Sequence, residues 1–396
     1  MIGISKLYCG TVEPSDALRY GRQSGKMPSH LLQFSEDKKP VVVWNMTQAC
    51  NLKCVHCYAH AKARGGPDEL TTDQGKRMIE DLAAFGAPVM LFSGGEPLMR
   101  EDLTELIRHA VKNGMRAVIS TNGTLITRDK AAELKDLGLS YVGISLDGLK
   151  DVNDAFRGVP GAFDMAVAGI RNCLEKNLKV GLRFTVNKRN ASEIPAVFDL
   201  LEQEGVPRIC FYHLVYSGRG SSLMKEDLDH EETRQVVDLI IDRTKHLHDK
   251  GKATEVLTVD NHADGPYVYL RMLKEGSARA DEVFELLKMN EGNSSGRGIG
   301  CVSWDGRVHA DQFWRIHTFG NVQERPFSEI WTDPNIELLA KLKDKKEHVT
   351  GRCAKCRWLN VCAGNFRARA EAATGDVWAP DPACYLSDQE IGLEAA

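Results

Sequence analysis

The sequence predicts an α/β protein: an open, partial, TIM-like (β/α)6 barrel with a small cysteine-rich domain at its C-terminal end. Two observations carry this. Between residues 39 and 218, apolar strand-like runs alternate with amphipathic helical stripes six times over, and repeated strand–helix units build a parallel sheet with helices outside. Beyond residue 300 the composition changes, and five of the eleven cysteines fall in 301–396.

Taken in order, residues 1–38 form an N-terminal arm of mixed composition. Cys9 stands alone there and reads as a small buried hydrophobe. The run Val41-Val42-Val43-Trp44 opens a buried first strand over 41–45. Thr71 with Gln74 makes a capping box, and Met78, Ile79, Leu82 and Ala83 give the stripe of the helix behind it. A second strand spans 89–92. Leu103, Leu106, Ile107, Ala110 and Val111 mark the next helix, closed by Gly114. Strands over 117–120, 141–145, 180–186 and 208–214 follow, separated by helices near 130–137, 163–176 and 194–204. Residues 219–300 read as a helical linker that ends in a glycine-rich loop. Four segments result: arm 1–38, barrel 39–218, linker 219–300 and C-terminal domain 301–396.

Charge and composition exclude several classes. A net charge of −4 gives no electrostatic case for nucleic acid. No apolar run has the length of a membrane span, and the opening residues lack the pattern of a secretion signal. The expectation is a cytoplasmic protein. In such a reducing compartment, many cysteines point to metal or redox chemistry rather than structural disulfides.

Chemistry concentrates where strands end. Cys50, Cys54 and Cys57 stand in a C-x3-C-x2-C spacing just after the first strand, and functional residues of such a sheet gather at the C-terminal strand ends. Three thiolates so placed hold three irons of a 4Fe–4S cluster and leave the fourth open. A zinc site completed by His56 or His60 is the alternative, with a disulfide behind it. After the second strand comes Ser93-Gly94-Gly95-Glu96-Pro97, where backbone without a Cβ can approach a ligand or simply turn into a helix. Thr121-Asn122-Gly123 and Ser145-Leu146-Asp147-Gly148 end the third and fourth strands, as ligand contacts or as ordinary turns. Near the C-terminus, Cys353, Cys356 and Cys362 form C-x2-C-x5-C, with Cys384 beyond. Spacing alone leaves iron–sulfur and four-thiolate zinc both open.

The cysteine loop together with Gly94-Gly95-Glu96 resembles the radical S-adenosylmethionine (SAM) superfamily, although His56 stands where that family places an aromatic residue. The resemblance implies that SAM chelates the open iron of the cluster held by Cys50, Cys54 and Cys57. Cleavage of SAM then yields methionine and a 5′-deoxyadenosyl radical. It assigns the SAM pocket to Gly94, Gly95, Glu96, Thr121, Asn122, Ser145 and Arg183, with Glu96 accepting from the SAM amino group. The C-terminal cysteines resemble the SPASM extension, whose full pattern houses two auxiliary clusters. Here Val302–Trp314 holds no cysteine and Phe366 replaces the last one of the motif. One auxiliary 4Fe–4S cluster is therefore expected, on Cys353, Cys356, Cys362 and Cys384, with Cys301 left over. Electron transfer is the simplest role for a cluster so closed.

Within the superfamily, Ile4-Ser5-Lys6-Leu7-Tyr8-Cys9, Leu18-Arg19-Tyr20 and the run from Phe211 to Gly220 resemble the haem-biosynthesis branch. This implies an iron tetrapyrrole substrate, 12,18-didecarboxysiroheme losing two acetate side chains to give iron-coproporphyrin III, and a reducing donor such as ferredoxin or flavodoxin. An apolar slot edged by arginines suits such a substrate; Arg19, Arg22, Arg219, Arg297, Arg315 and Arg367 are candidates, as are His213, His309 and His317 for an axial ligand. Action on propionates as in haem d1 formation, oxidative decarboxylation of iron-coproporphyrin III, peptide maturation and a plain electron carrier are the rivals.

Overall fold

A computed structural model describes residues 1–12, 16, 19 and 39–393. Ten strands among them form one sheet in the order β1-β8-β7-β6-β5-β4-β3-β2-β9-β10. In chain order they are β1 (Ile2–Gly3), β2 (Val41–Asn45), β3 (Val89–Ser93), β4 (Arg116–Thr121), β5 (Tyr141–Ser145), β6 (Val180–Val186), β7 (Arg208–His213), β8 (Glu255–Val259), β9 (Ile299–Val302) and β10 (Val308–His309). Every pair from β9 through β2 to β8 is parallel, and only β1 and β10 run antiparallel at the edges.

The six expected strands are β2–β7, each within two residues of its predicted bounds. The helices between them also lie where the apolar stripes put them, apart from one over Lys150–Arg157 that no stripe announces. The Thr71 side chain caps helix α1 (Thr72–Phe85) through the predicted box with Gln74. Helices α2 (Leu103–Lys112), α3 (Arg128–Asp136), α4 (Lys150–Arg157), α5 (Ala162–Glu175) and α6 (Ile194–Glu204) follow. Their apolar faces join one continuous core with the outward residues of the strands, such as Trp44, Phe92, Ile119, Ile144 and Phe184, each unexposed.

Two regions depart from expectation. The linker 219–300 is not all helix: β8 lies within it and pairs in parallel with β7, Glu255 opposite Arg208. Its sequence Glu255-Val256-Leu257-Thr258-Val259 is a β-branched run masked by the long charged helix α7 (His230–Asp249) before it. The C-terminal segment also enters the sheet, since β9 pairs with β2, Cys301 opposite Val43. No described helix is long and apolar enough to cross a membrane.

Candidate functional site

The loop after β2 carries Cys50, Cys54 and Cys57, and all three line a cavity at the C-terminal strand ends. Helix α4 holds this loop in place. The Lys53 N–H donates to the Arg157 carbonyl (3.0 Å) and the Val55 N–H to that of Phe156 (2.9 Å). The Arg157 guanidinium pairs with the fully buried Asp147 and reaches Cys54 Sγ at 3.6 Å. From the other side Arg219 donates to the carbonyls of Cys54 (2.8 Å) and Ala61 (3.1 Å). Each thiol thus faces an N–H donor: Leu52 N for Cys50 (3.4 Å), Arg157 for Cys54, and Ala61 N for Cys57 (3.5 Å).

That donor pattern suits sulfur carrying negative charge. Burial alone pushes the Cys50 thiol up to about 12 and raises that of Cys54. A bound cation reverses this, because a coordinating thiol is deprotonated outright. The mononuclear zinc alternative fits poorly. His56 is turned to Asp147 (3.5 Å) and packed on Phe156 (ring centroids 4.5 Å). Desolvation lowers its pKa to about 4, so it is neutral near pH 7.

Six of the seven residues expected around SAM line the same cavity: Gly94, Gly95, Thr121, Asn122, Ser145 and Arg183. Gly94 has φ +124°, and a Cβ on Gly95 would lie 2.1 Å from the Ala49 carbonyl oxygen. Glycines here let the β3 loop close against the cysteine loop, and the Gly95 and Glu96 N–H groups donate to Thr47 and Ala49 (2.7 and 2.6 Å). Glu96 differs from expectation. It is unexposed and accepts from Thr121 Oγ1 (2.7 Å), Asn122 N (2.8 Å) and Leu98 N (3.0 Å). Its carboxylate faces the fold, and it sets Thr121 and Asn122 in place. Asn122 in turn donates to Asn51 Oδ1 (2.8 Å), beside Cys50.

The four late cysteines form a second, separate site. Cys353, Cys356, Cys362 and Cys384 line a small cavity whose other walls include Trp358, Leu359, Leu386 and Ile391. Burial, with the neighbouring thiols adding to it, pushes the Cys362 thiol up; Cys384 rises to about 12 from burial. Arg369 anchors this site to the barrel. It is unexposed, pairs with Asp381 (2.8 and 2.9 Å), and donates to the carbonyls of Leu214 (3.1 Å) and Asp260 (2.7 Å). Cys301 belongs to neither site; it is buried in β9 and accepts from Asn45 Nδ2 (3.4 Å). Phe366, where the motif's last cysteine is absent, is buried against Phe313 (6.1 Å, edge-on).

Most of the expected substrate-side residues are engaged elsewhere. Arg367 is buried on the carbonyls of Val377, Ala379 and Gly364. Arg315 holds the Tyr58 carbonyl (2.9 Å) and Arg297 pairs with Glu291. Arg19 meets Asp16 and Glu255 (both 2.9 Å). Arg22 lies outside the described residues. His309 bonds Ser303 (2.9 Å) and the His317 carbonyl (2.7 Å), His317 bonds Glu371 (2.9 Å), and His213 bonds Asp264 (2.9 Å). Arg157, Asp147 and Arg369 had no assigned role in the sequence. Nothing in the spacing of Asn153 to Gly158 signals that this run clasps the cysteine loop.

Comparison with known proteins agrees with this geometry. Residues 44–201 match the radical SAM superfamily and residues 295–357 the SPASM iron–sulfur cluster-binding domain. The chain is 68% identical to the Fe-coproporphyrin III synthase of Methanosarcina barkeri (strain Fusaro / DSM 804), covering 100% of both. It is 43% identical to the pre-heme d1 synthase of Dinoroseobacter shibae (strain DSM 16493 / NCIMB 14021 / DFL 12), over 89% of this chain and 88% of that one. In fold it is similar to Streptococcus suis SuiB bound to precursor peptide SuiA, with a TM-score of 0.70, 18% identity, and 88% of this chain and 76% of that one covered. The chain belongs to the radical SAM superfamily, working with SAM and a 4Fe–4S cluster, and carries a SPASM-type auxiliary iron–sulfur domain.

Proposed function

We propose that the protein acts in haem biosynthesis on an iron tetrapyrrole, removing the two acetate side chains of 12,18-didecarboxysiroheme to give iron-coproporphyrin III. The observation that carries this is the 68% identity over the whole chain to a protein named Fe-coproporphyrin III synthase. The 43% identical pre-heme d1 synthase supports the tetrapyrrole class. A reducing donor such as ferredoxin or flavodoxin and a cytoplasmic setting are part of the proposal.

In this reading Cys50, Cys54 and Cys57 hold the catalytic cluster, and Cys353, Cys356, Cys362 and Cys384 hold one auxiliary cluster for electron transfer. Together the bound cluster and SAM supply a 5′-deoxyadenosyl radical, the hard part of the chemistry. The protein's own residues position and enclose. Gly94 and Gly95 bring backbone to the cofactor, Thr121, Asn122, Ser145 and Arg183 bind it, and Glu96 orients two of these from behind. Arg157 and Arg219 fix the cysteine loop. The segments 1–38, 39–218, 219–300 and 301–396 serve as arm, barrel, linker and auxiliary domain, with the strands β8 and β9 extending the barrel sheet.

The test is anaerobic turnover of the reconstituted protein with SAM, reductant and didecarboxysiroheme, read by mass spectrometry of the macrocycle. Loss of two acetate units is expected. Loss of propionate mass, or SAM cleavage with an untouched macrocycle, would overturn the assignment.

A further inference from the structure

Below the cofactor cavity the barrel holds a second chamber. The two share Leu91, Arg183, Tyr212, Asp260, Gln312 and Phe313 as lining, so they adjoin along these residues. One wall of the lower chamber is apolar, built from Val41, Val89, Leu91, Val118 and Ile299. Along β4–β7 the wall is cationic: Arg116, Arg183 and Arg208 line it together with Tyr141.

These arginines face inward because of strand alternation and two glycines. Arg116 opens β4 four residues before Ser120, about 13 Å lower along the strand. Gly143 and Gly181 sit opposite each other in β5 and β6. A Cβ on Gly143 would lie 2.3 Å from Arg183 Nε, and one on Gly181 would lie 2.5 Å from the Tyr141 hydroxyl. The missing side chains leave the room that Arg183 and Tyr141 occupy.

The chamber is rich in unanswered polar atoms. Arg116 and Arg183 make no hydrogen bond or ion pair among the described residues. Arg183 Nε, Arg208 Nε and the Tyr141 hydroxyl are buried without a hydrogen-bond partner. Arg208 lies over the Tyr141 ring (5.1 Å) and meets Glu255 at 3.2 Å. On the far side Asp260 and Asp311 also line the space. Burial, then the neighbouring Asp311, pushes Asp260 up to about 7, and burial raises Asp311, so that side offers the arginines little countercharge. Buried donors without acceptors are costly unless a ligand supplies the acceptors.

We infer that the lower chamber is a carboxylate-recognition site, in which Arg116, with the Tyr141 hydroxyl, binds an acidic side chain on the edge of a flat apolar macrocycle, while Arg208, held by Glu255, adds positive charge to the wall. This rests on the tetrapyrrole reading above and gives that substrate an orientation. Its acidic edge lies down in the barrel, and the reacting edge faces the adjoining cofactor cavity past Arg183. Arginine forks match carboxylates in pairs of hydrogen bonds, where lysine offers a point charge.

Anaerobic titration with iron-coproporphyrin III and with its tetramethyl ester, followed by the Soret band, tests the assignment. Arg116→Gln should weaken binding of the acid about 10- to 100-fold, the loss of one charge-assisted contact. Arg116→Lys should recover part of it. The ester should bind the wild type weakly and be insensitive to Arg116→Gln. Iron content and thermal melting report whether each variant is folded. Unchanged acid binding in Arg116→Gln, or equal losses for acid and ester, would overturn the arginine assignment and leave the tetrapyrrole reading standing. Wild-type protein that binds neither form would overturn both.

Discussion

The two cysteine sites are built from the same ligand type and held by the same device, yet they face different surroundings. The first is a three-thiol loop at the open end of a parallel sheet, lining a cavity shared with polar residues from five strands. The second is a four-thiol nest walled largely by Trp358, Leu359, Leu386 and Ile391. Each is secured by a buried arginine–aspartate pair: Arg157 with Asp147 behind the first, Arg369 with Asp381 behind the second. The difference teaches that ligand count and surroundings divide the labour. On the proposed assignment, three thiols would leave a metal position turned to a cavity, and four in an apolar nest would leave none.

The sharpest way to break this comparison is Cys54→Ala. Removing one of three ligands at the open site should abolish SAM cleavage, measured as 5′-deoxyadenosine formation under reducing conditions; retained cleavage would end the assignment of that loop. Cys356→Ala is the counterpart. It should remove about one cluster's worth of iron while the first cluster's spectroscopic signal persists, and unchanged iron content would show that the four late thiols hold no cluster.

The two arginine pairs come next. Replacing one partner of a buried ion pair leaves the other charge uncompensated, a cost of about 3–5 kcal/mol. Arg369→Gln should therefore lower the denaturation midpoint strongly, with Asp381 and the carbonyls of Leu214 and Asp260 losing their donor. Arg157→Gln should cost a similar amount and also change the first cluster, because Cys54 loses its guanidinium neighbour. Chemical denaturation alongside the cluster's reduction potential separates the two: a shift in the first cluster's potential is expected only for Arg157→Gln.

The smallest expected effect is a pH slope at the seam between the sites. Asp260 lies in both chambers. Burial and Asp311 raise its pKa from 3.8 to about 7, against the lowering pull of Arg369, His213 and the amino terminus. The folded protein therefore holds a proton there that the unfolded chain releases above pH 4. This contribution to stability is full below about pH 4 and is lost as pH rises through 7. Asp260→Asn should flatten the stability profile across that window, read from urea midpoints at a series of pH values.

How much was legible in the sequence follows from what each feature depends on. Strands β2–β7 and their helices could be read because the apolar periods are local and strong, from Val41-Val42-Val43 to the stripe of Met78, Ile79 and Leu82. The cysteines were legible because a metal site within a short loop writes its spacing into the chain. β8 was missed beside a twenty-residue charged helix, and β1 and β10, of two residues each, are too short to carry a period.

The sequence by itself determined the repeating α/β pattern, the two groups of cysteines and the glycine turn at Gly94-Gly95, since each rests on neighbours in the chain. Only the tertiary structure decided which charges meet. Arg157 reaches Cys54 across 103 residues and Arg369 reaches Leu214 across 155. Arg116, Arg183 and Arg208, one on each of three strands, share a chamber only because the sheet curls around it. Glu96 turned inward, and Arg297, Arg315 and Arg367 went to carboxylate or backbone partners, for the same reason. A side chain's chemistry is set by its identity, but its partner is set by long-range packing, which no local spacing records.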